Sequence, residues 1–73
     1  SYIKINGEEY GTLPDELKDI ININLDVDLN QIKIKDKYIY IIKKNNKKMI
    51  AIGDLYLDYL TLRFLEDFLD YLA

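Results

Sequence analysis

An α+β domain, with strands in its first two thirds and one long helix at its end, is the architecture this 73-residue chain predicts. Three observations carry the prediction. Isoleucine and leucine are segregated: every Ile lies at or before Ile52, while Leu55 to Leu72 supplies most of the Leu. Branching at Cβ suits a pleated surface and a straight-chain Leu suits a helix, so strands come first and a helix last. From Ile21 to Leu29 apolar and polar residues alternate without a break, which is the period of a half-buried strand. From Asp54 to Leu72 the period changes to that of a helix, with apolar residues on a continuous arc of about 220° against the ~100° stripe of an ordinary surface helix.

The first element is a β-hairpin. Tyr2-Ile3-Lys4-Ile5 and Glu8-Glu9-Tyr10 flank Asn6-Gly7, and this dipeptide supplies both positive-φ residues of a type I′ turn. A short helix follows to about Asp19, with Thr12 expected as N-cap, Pro14 in the first turn and Asp15 closing a capping box. The alternating strand Ile21 to Leu29 then reverses phase at Asn30-Gln31, where a two-residue turn is expected. In that register Leu29 faces Ile32 and Val27 faces Ile34, while Asp28 faces Lys33 and Asp26 faces Lys35. Tyr38 to Ile42 turns back at Asn45-Asn46 into Lys48 to Ile52, pairing Ile42 with Met49, Tyr40 with Ala51, Ile41 with Ile50 and Ile39 with Ile52. Both faces of this pair are apolar, so both need cover. Gly53 ends the last strand and Asp54 is expected to cap the long C-terminal helix. The whole is one domain over residues 1–73: hairpin, short helix, three-stranded antiparallel meander, and terminal helix packed on the sheet.

That order is similar in outline to the small SH3-like chromatin proteins of archaea. The acidic charge and the inserted helix depart from that family, no motif of it is matched, and no DNA-packing role is carried over.

A chain this short gains only a few kcal/mol from one core, and the usual reinforcements are disulfides, structural metal or self-association. With no cysteine and no histidine, a disulfide and a Cys/His zinc site are excluded, which leaves self-association. The broad arc of the terminal helix supplies the surface. One side is expected on the domain's own sheet, and Leu55, Leu62, Leu65, Leu69 and Leu72 are the residues expected to meet a second copy or another protein.

Charge is distributed unevenly along the chain. Residues 33–48 hold seven lysines against Asp36, whereas the whole chain has a net charge of −3. Lys33, Lys35 and Lys37 are expected as cross-strand partners of Asp28, Asp26 and Asn24. Lys43, Lys44, Lys47 and Lys48 oppose one another across the Asn45-Asn46 turn, which costs stability unless an anion or acidic partner relieves it. They form a candidate contact for an acidic surface or for nucleic acid. Tyr38 and Tyr40 adjoin them but fall on an apolar face, and the acidic balance speaks against phosphate binding as the main task. Asp54, Asp58, Glu66, Asp67 and Asp70 make an acidic strip on the terminal helix that suits a basic partner and not an anionic membrane.

Catalysis has little to stand on, since there is no His, no Cys, no Ser but Ser1 and no Gly-rich phosphate loop. No cofactor is expected. Asp26-Val27-Asp28-Leu29-Asn30 opens like a calcium loop, but Gln31 and Lys37 stand where Gly and Glu are required. No basic-then-apolar leader and no uncharged run of membrane-spanning length occurs, so neither a signal peptide nor a membrane span is expected, and the lack of cysteine fits a cytoplasmic setting. The expected function is a non-enzymatic protein-interaction module, a homodimer acting as a small regulator or inhibitor. Its richness in Ile, Lys, Asn and Tyr fits a phage or mobile-element product. Nucleic-acid binding through the lysine tip is the alternative.

Overall fold

Five strands join in one antiparallel sheet, in a computed structural model that describes residues 2–22 and 28–72. They are β1 (Tyr2–Ile5), β2 (Glu8–Gly11), β3 (Leu29–Ile34), β4 (Lys37–Lys44) and β5 (Lys47–Gly53), and the helix is α1 (Tyr59–Tyr71). The order across the sheet is β2-β1-β5-β4-β3, so the N-terminal hairpin docks its first strand on β5 and leaves β2 and β3 as edges.

The first hairpin turns where Asn-Gly demands it, with Asn6 at φ 50° and Gly7 at φ 90°. The β4–β5 hairpin keeps the expected register throughout, from Ile39 opposite Ile52 to Lys44 opposite Lys47.

Between these hairpins the structure corrects the sequence reading. Asn30-Gln31 is no turn: both residues lie inside β3, and the chain reverses at Lys35-Asp36, with Lys35 at φ 57°. Leu29 therefore faces Ile42 and Lys33 faces Tyr38. The phase reversal that suggested a turn has another cause. Leu29 and Ile32 belong to opposite faces of one strand, and both faces are covered, so apolar residues need not keep to one parity. Ile20–Asn22 is a 3-10 turn and no strand, and the expected Val27–Ile34 and Asp26–Lys35 pairs lie outside the described residues, as does the start of the calcium-like run. The short helix shrinks to a 3-10 turn, Asp15–Leu17, entered through Pro14 with no side-chain cap, so neither Thr12 nor a capping box closes it.

Each sheet face has its own core. On the first, Tyr2, Ile39, Ile41, Ile50 and Ile52 pack under Leu17 and Ile21 of the segment before β3. On the second, Ile42 and Met49 pack against Leu69 of α1, with Ile3, Ile5, Leu29, Leu65 and Leu72 around them. The 3-10 segment thus supplies the cover that both-sided strands require, and α1 supplies the other.

The helix begins later than expected. Asp58, not Asp54, is its N-cap: the Asp58 carboxylate accepts from the Thr61 N–H at 2.8 Å, and this bond holds its carboxyl below the usual carboxylate range. Residues 54–58 stay outside the helix, as a bend and an irregular segment, because lateral partners take up their polar groups. Lys37 pairs with the Asp54 carboxylate, the Tyr40 hydroxyl donates to the Leu55 carbonyl, and the Gln31 amide both donates to the Leu57 carbonyl and accepts from the Leu57 N–H at 2.8 Å. Those bonds compete directly with the first helical turn. Gly53 permits the arrangement, since a Cβ there would stand 3.0 Å from the Tyr40 hydroxyl.

Tyr2 gives the fold a defined alkaline limit. Burial, aided by its hydrogen bond to Glu9 at 2.8 Å and that carboxylate's charge, pushes the Tyr2 phenol up from 10.0 to about 12. Because the folded-state value is raised, its contribution is complete below pH 10 and is lost as pH rises through about 12. Urea midpoints measured across that range should fall less in Tyr2→Phe than in the parent chain; parallel curves would contradict the assignment.

Candidate interaction surface

The surface of interest is built on α1, whose rotation is fixed by what its inner side must reach. Leu69 is fully buried against Ile42 and Met49, and Leu62 is buried further along the same side. Leu65 and Leu72 are half-buried on the flank toward β1. Leu55 is exposed but precedes the helix. Of the five leucines expected at an interface, two are thus inside the domain's own core and two are drawn toward it. The open side consists of other residues: Leu60 is 79% exposed, Phe64 70%, Phe68 52% and Tyr71 90%. Spacings of four, four and three put them on one stripe, about 150° around the helix from Leu62 and Leu69. Tyr56 and Tyr59 are exposed as well but lie on the β3 side, Tyr56 edge-on to Tyr38 at 5.9 Å and Tyr59 under the Arg63 guanidinium.

All four stripe residues belong to the broad arc visible in the sequence. What hydropathy cannot say is which part of the arc turns inward, since Leu62 and Leu60 are equally apolar. The signal that decides it is electrostatic. The lysine tip and the acidic strip, two separate candidate sites in the sequence, meet each other. The Lys47 ammonium donates to the Asp70 carbonyl at 2.6 Å and the Asn45 amide donates to the Asp70 carboxylate at 2.7 Å. Lys44 lies 3.7 Å from Asp67 and 4.0 Å from the buried Glu66, which Arg63 approaches at 3.6 Å from its other side. Each such pair is worth at most about 1 kcal/mol in water, but together they offset the repulsion between Lys44 and Lys47 and fix the helix's polar flank beside the turn.

Lys43 and Lys48, opposed on the other sheet face, follow a different path. Lys48 is joined to the first hairpin, its N–H donating to the Asn6 side chain at 3.0 Å while its carbonyl accepts from the Asn6 N–H. It lines a pocket of about 180 Å³ with Lys4, Gly7, Ile21 and Ile50. Of the remaining basic residues, Lys33 sits over the Tyr38 ring, with Tyr38 and not Asp28 as its strand partner, and Lys35 pairs with Glu16 at 3.0 Å. Asp54 is held low by Lys37, so of the acidic strip Asp54 and Asp58 are engaged in holding the linker and the helix start.

A groove of about 470 Å³ runs between the start of α1 and β3, lined by Gln31, Tyr56, Tyr59 and Arg63 among others. Beyond the end of α1 a second groove of about 380 Å³ is lined by Ile5, Asn6, Glu8, Tyr10 and Leu72. Among the described residues no group of three or more carboxylates converges in a way that would hold a metal ion, and no helix is long and apolar enough to cross a membrane. No protein-family model matches the chain, and neither a curated protein nor a solved structure matches it.

Proposed function

We propose that this protein is a non-enzymatic interaction module that associates with a second copy of itself through the outer side of α1, and that it acts as a small regulator or inhibitor by occupying another macromolecule's surface. The observation that carries the reading is the stripe of Leu60, Phe64, Phe68 and Tyr71. A single exposed apolar side chain needs no explanation, but four on one stripe of a 13-residue helix form a contiguous patch. Aromatics are the residues that dominate binding at such patches. The small core and the absence of cysteine make a second copy the natural reinforcement. A cytoplasmic setting and a phage or mobile-element origin belong to the same proposal and rest on composition.

Nucleic-acid binding through Lys43, Lys44, Lys47 and Lys48 is the alternative. The Glu66 and Asp67 carboxylates beside Lys44, and the Asp70 carbonyl that takes the Lys47 ammonium, count against it, because these groups already engage the charge a phosphate would seek. A generic oligonucleotide titrated at low and then physiological salt separates the two. The proposal expects no appreciable binding at either; steeply salt-dependent binding, weakened by Lys43→Ala with Lys48→Ala, would favour the alternative.

A further inference from the structure

The apolar arc of α1 covers three sides of the helix, and this says more than that a partner exists. Leu62 and Leu69 face the domain's own sheet, Leu65 and Leu72 face the flank toward β1, and Leu60, Phe64, Phe68 and Tyr71 face outward. The charged residues of α1, Arg63, Glu66, Asp67 and Asp70, all lie on the fourth side, beside the lysine turn. Simple pairing of two outward stripes would leave the β1 flank exposed. A helix with sheet below, sheet above, another helix at one flank and water at the other requires this distribution.

The sheet carries the matching vacancy. On its helix side, α1 lies over β4 and reaches β5 and β3; at β1 its Leu65–Leu72 flank leaves Ile3 and Ile5 only half-buried, and β2 beyond presents the half-exposed Tyr10 beside Glu8. Two grooves mark the place: the one of about 380 Å³ beside Leu72, and a mainly apolar one of about 230 Å³ formed by Tyr2, Ile3, Tyr10 and Gly11. Two strands are roughly 10 Å across, and a helix with its side chains is about 10–12 Å in diameter.

We infer that two copies stack face to face, each seating the outer stripe of its α1 on the open β1–β2 half of the other's sheet, so that the two helices lie side by side in one layer between two sheets. The inference rests on the self-association proposed above and names its geometry. One two-fold operation fills both vacancies, the isologous closure that prevents open-ended assembly. At roughly 150–250 Å² per aromatic side chain, the exposed fractions of the four stripe residues amount to about 600 Å². Tyr10 with the open parts of Ile3 and Ile5 brings each chain near the ~800 Å² per partner of a standard interface.

The chain has no cysteine, so single substitutions can report the seating directly. Phe68→Cys and Tyr10→Cys chains, each altered at a half-exposed position that leaves both cores intact, are mixed, allowed to exchange, and treated with a short thiol-to-thiol cross-linker. The stacked arrangement predicts that the mixture yields the Phe68–Tyr10 cross-link between copies, in clear excess over what either chain forms alone. A cross-link from Phe68→Cys alone as efficient as the mixed one, or none in the mixture while the molar mass remains doubled, overturns the seating and leaves the dimer standing. A mass of one chain for both variants and the parent overturns the seating and the dimer together.

Discussion

Replacing Leu69 with Ala is expected to leave the chain largely unfolded at 25 °C. Leu69 is fully buried where α1 meets Ile42 and Met49, and its removal opens a cavity between helix and sheet that neither can close without breaking another contact. Deleting a fully buried leucine side chain in this way costs about 3–5 kcal/mol, as much as the roughly 3–5 kcal/mol that a domain of this size holds in its single-chain fold. The loss is compounded because α1 is both the cover of the second core and the carrier of the outer stripe. Urea denaturation followed by circular dichroism should show no folded baseline for Leu69→Ala, whereas Leu69→Met, which keeps the volume, should cost less than about 1.5 kcal/mol. A Leu69→Ala chain within about 1 kcal/mol of the parent would mean that the helix does not pack as described.

Phe64→Glu is expected to have the opposite character, abolishing association while sparing the fold of the single chain. Phe64 is 70% exposed and touches neither core, so the substitution removes little from the interior. Across an apolar contact it places a carboxylate on each copy with no cation from the stripe to receive it, and burying an unpaired charge is far costlier than losing the aromatic contact alone. The change should weaken self-association by at least about 2 kcal/mol, some thirtyfold in dissociation constant. In sedimentation the variant should run as a single chain, with its helical circular dichroism retained. Retained mass would remove the outer stripe from the interface. Loss of helix as well as mass would mean that α1 is ordered only by its partner.

Much of this arrangement was legible in the residues, and where it was not the reasons are physical. Asn6-Gly7 and Asn45-Asn46 placed two hairpins correctly because local turn chemistry and apolar pairing agreed at both. Around Asn30-Gln31 they conflicted, and the alternation was misleading: in a strand covered on both faces parity carries no information, so Leu29 and Ile32 imitated a turn. Asp54 and Asp58 were equally good caps by residue type. The choice between them fell to long-range bonds from Lys37, Tyr40 and Gln31, partners 17, 15 and 26 residues away, which no local pattern encodes. At the interface the arc's breadth was legible, but its orientation was not. Leu62 and Leu69 could be distinguished from Leu60 and Phe64 only through the contacts of Asp67 and Asp70 with the lysine turn, which required knowing where that turn would lie.

The most direct test of the central claim, that a second copy covers the outer side of α1, is the molar mass of the unaltered chain by sedimentation equilibrium over a wide concentration range. A species of twice the 8.7 kDa chain mass, dissociating only on dilution, is expected. A mass of 8.7 kDa held up to the solubility limit, from a chain that melts cooperatively, would contradict it.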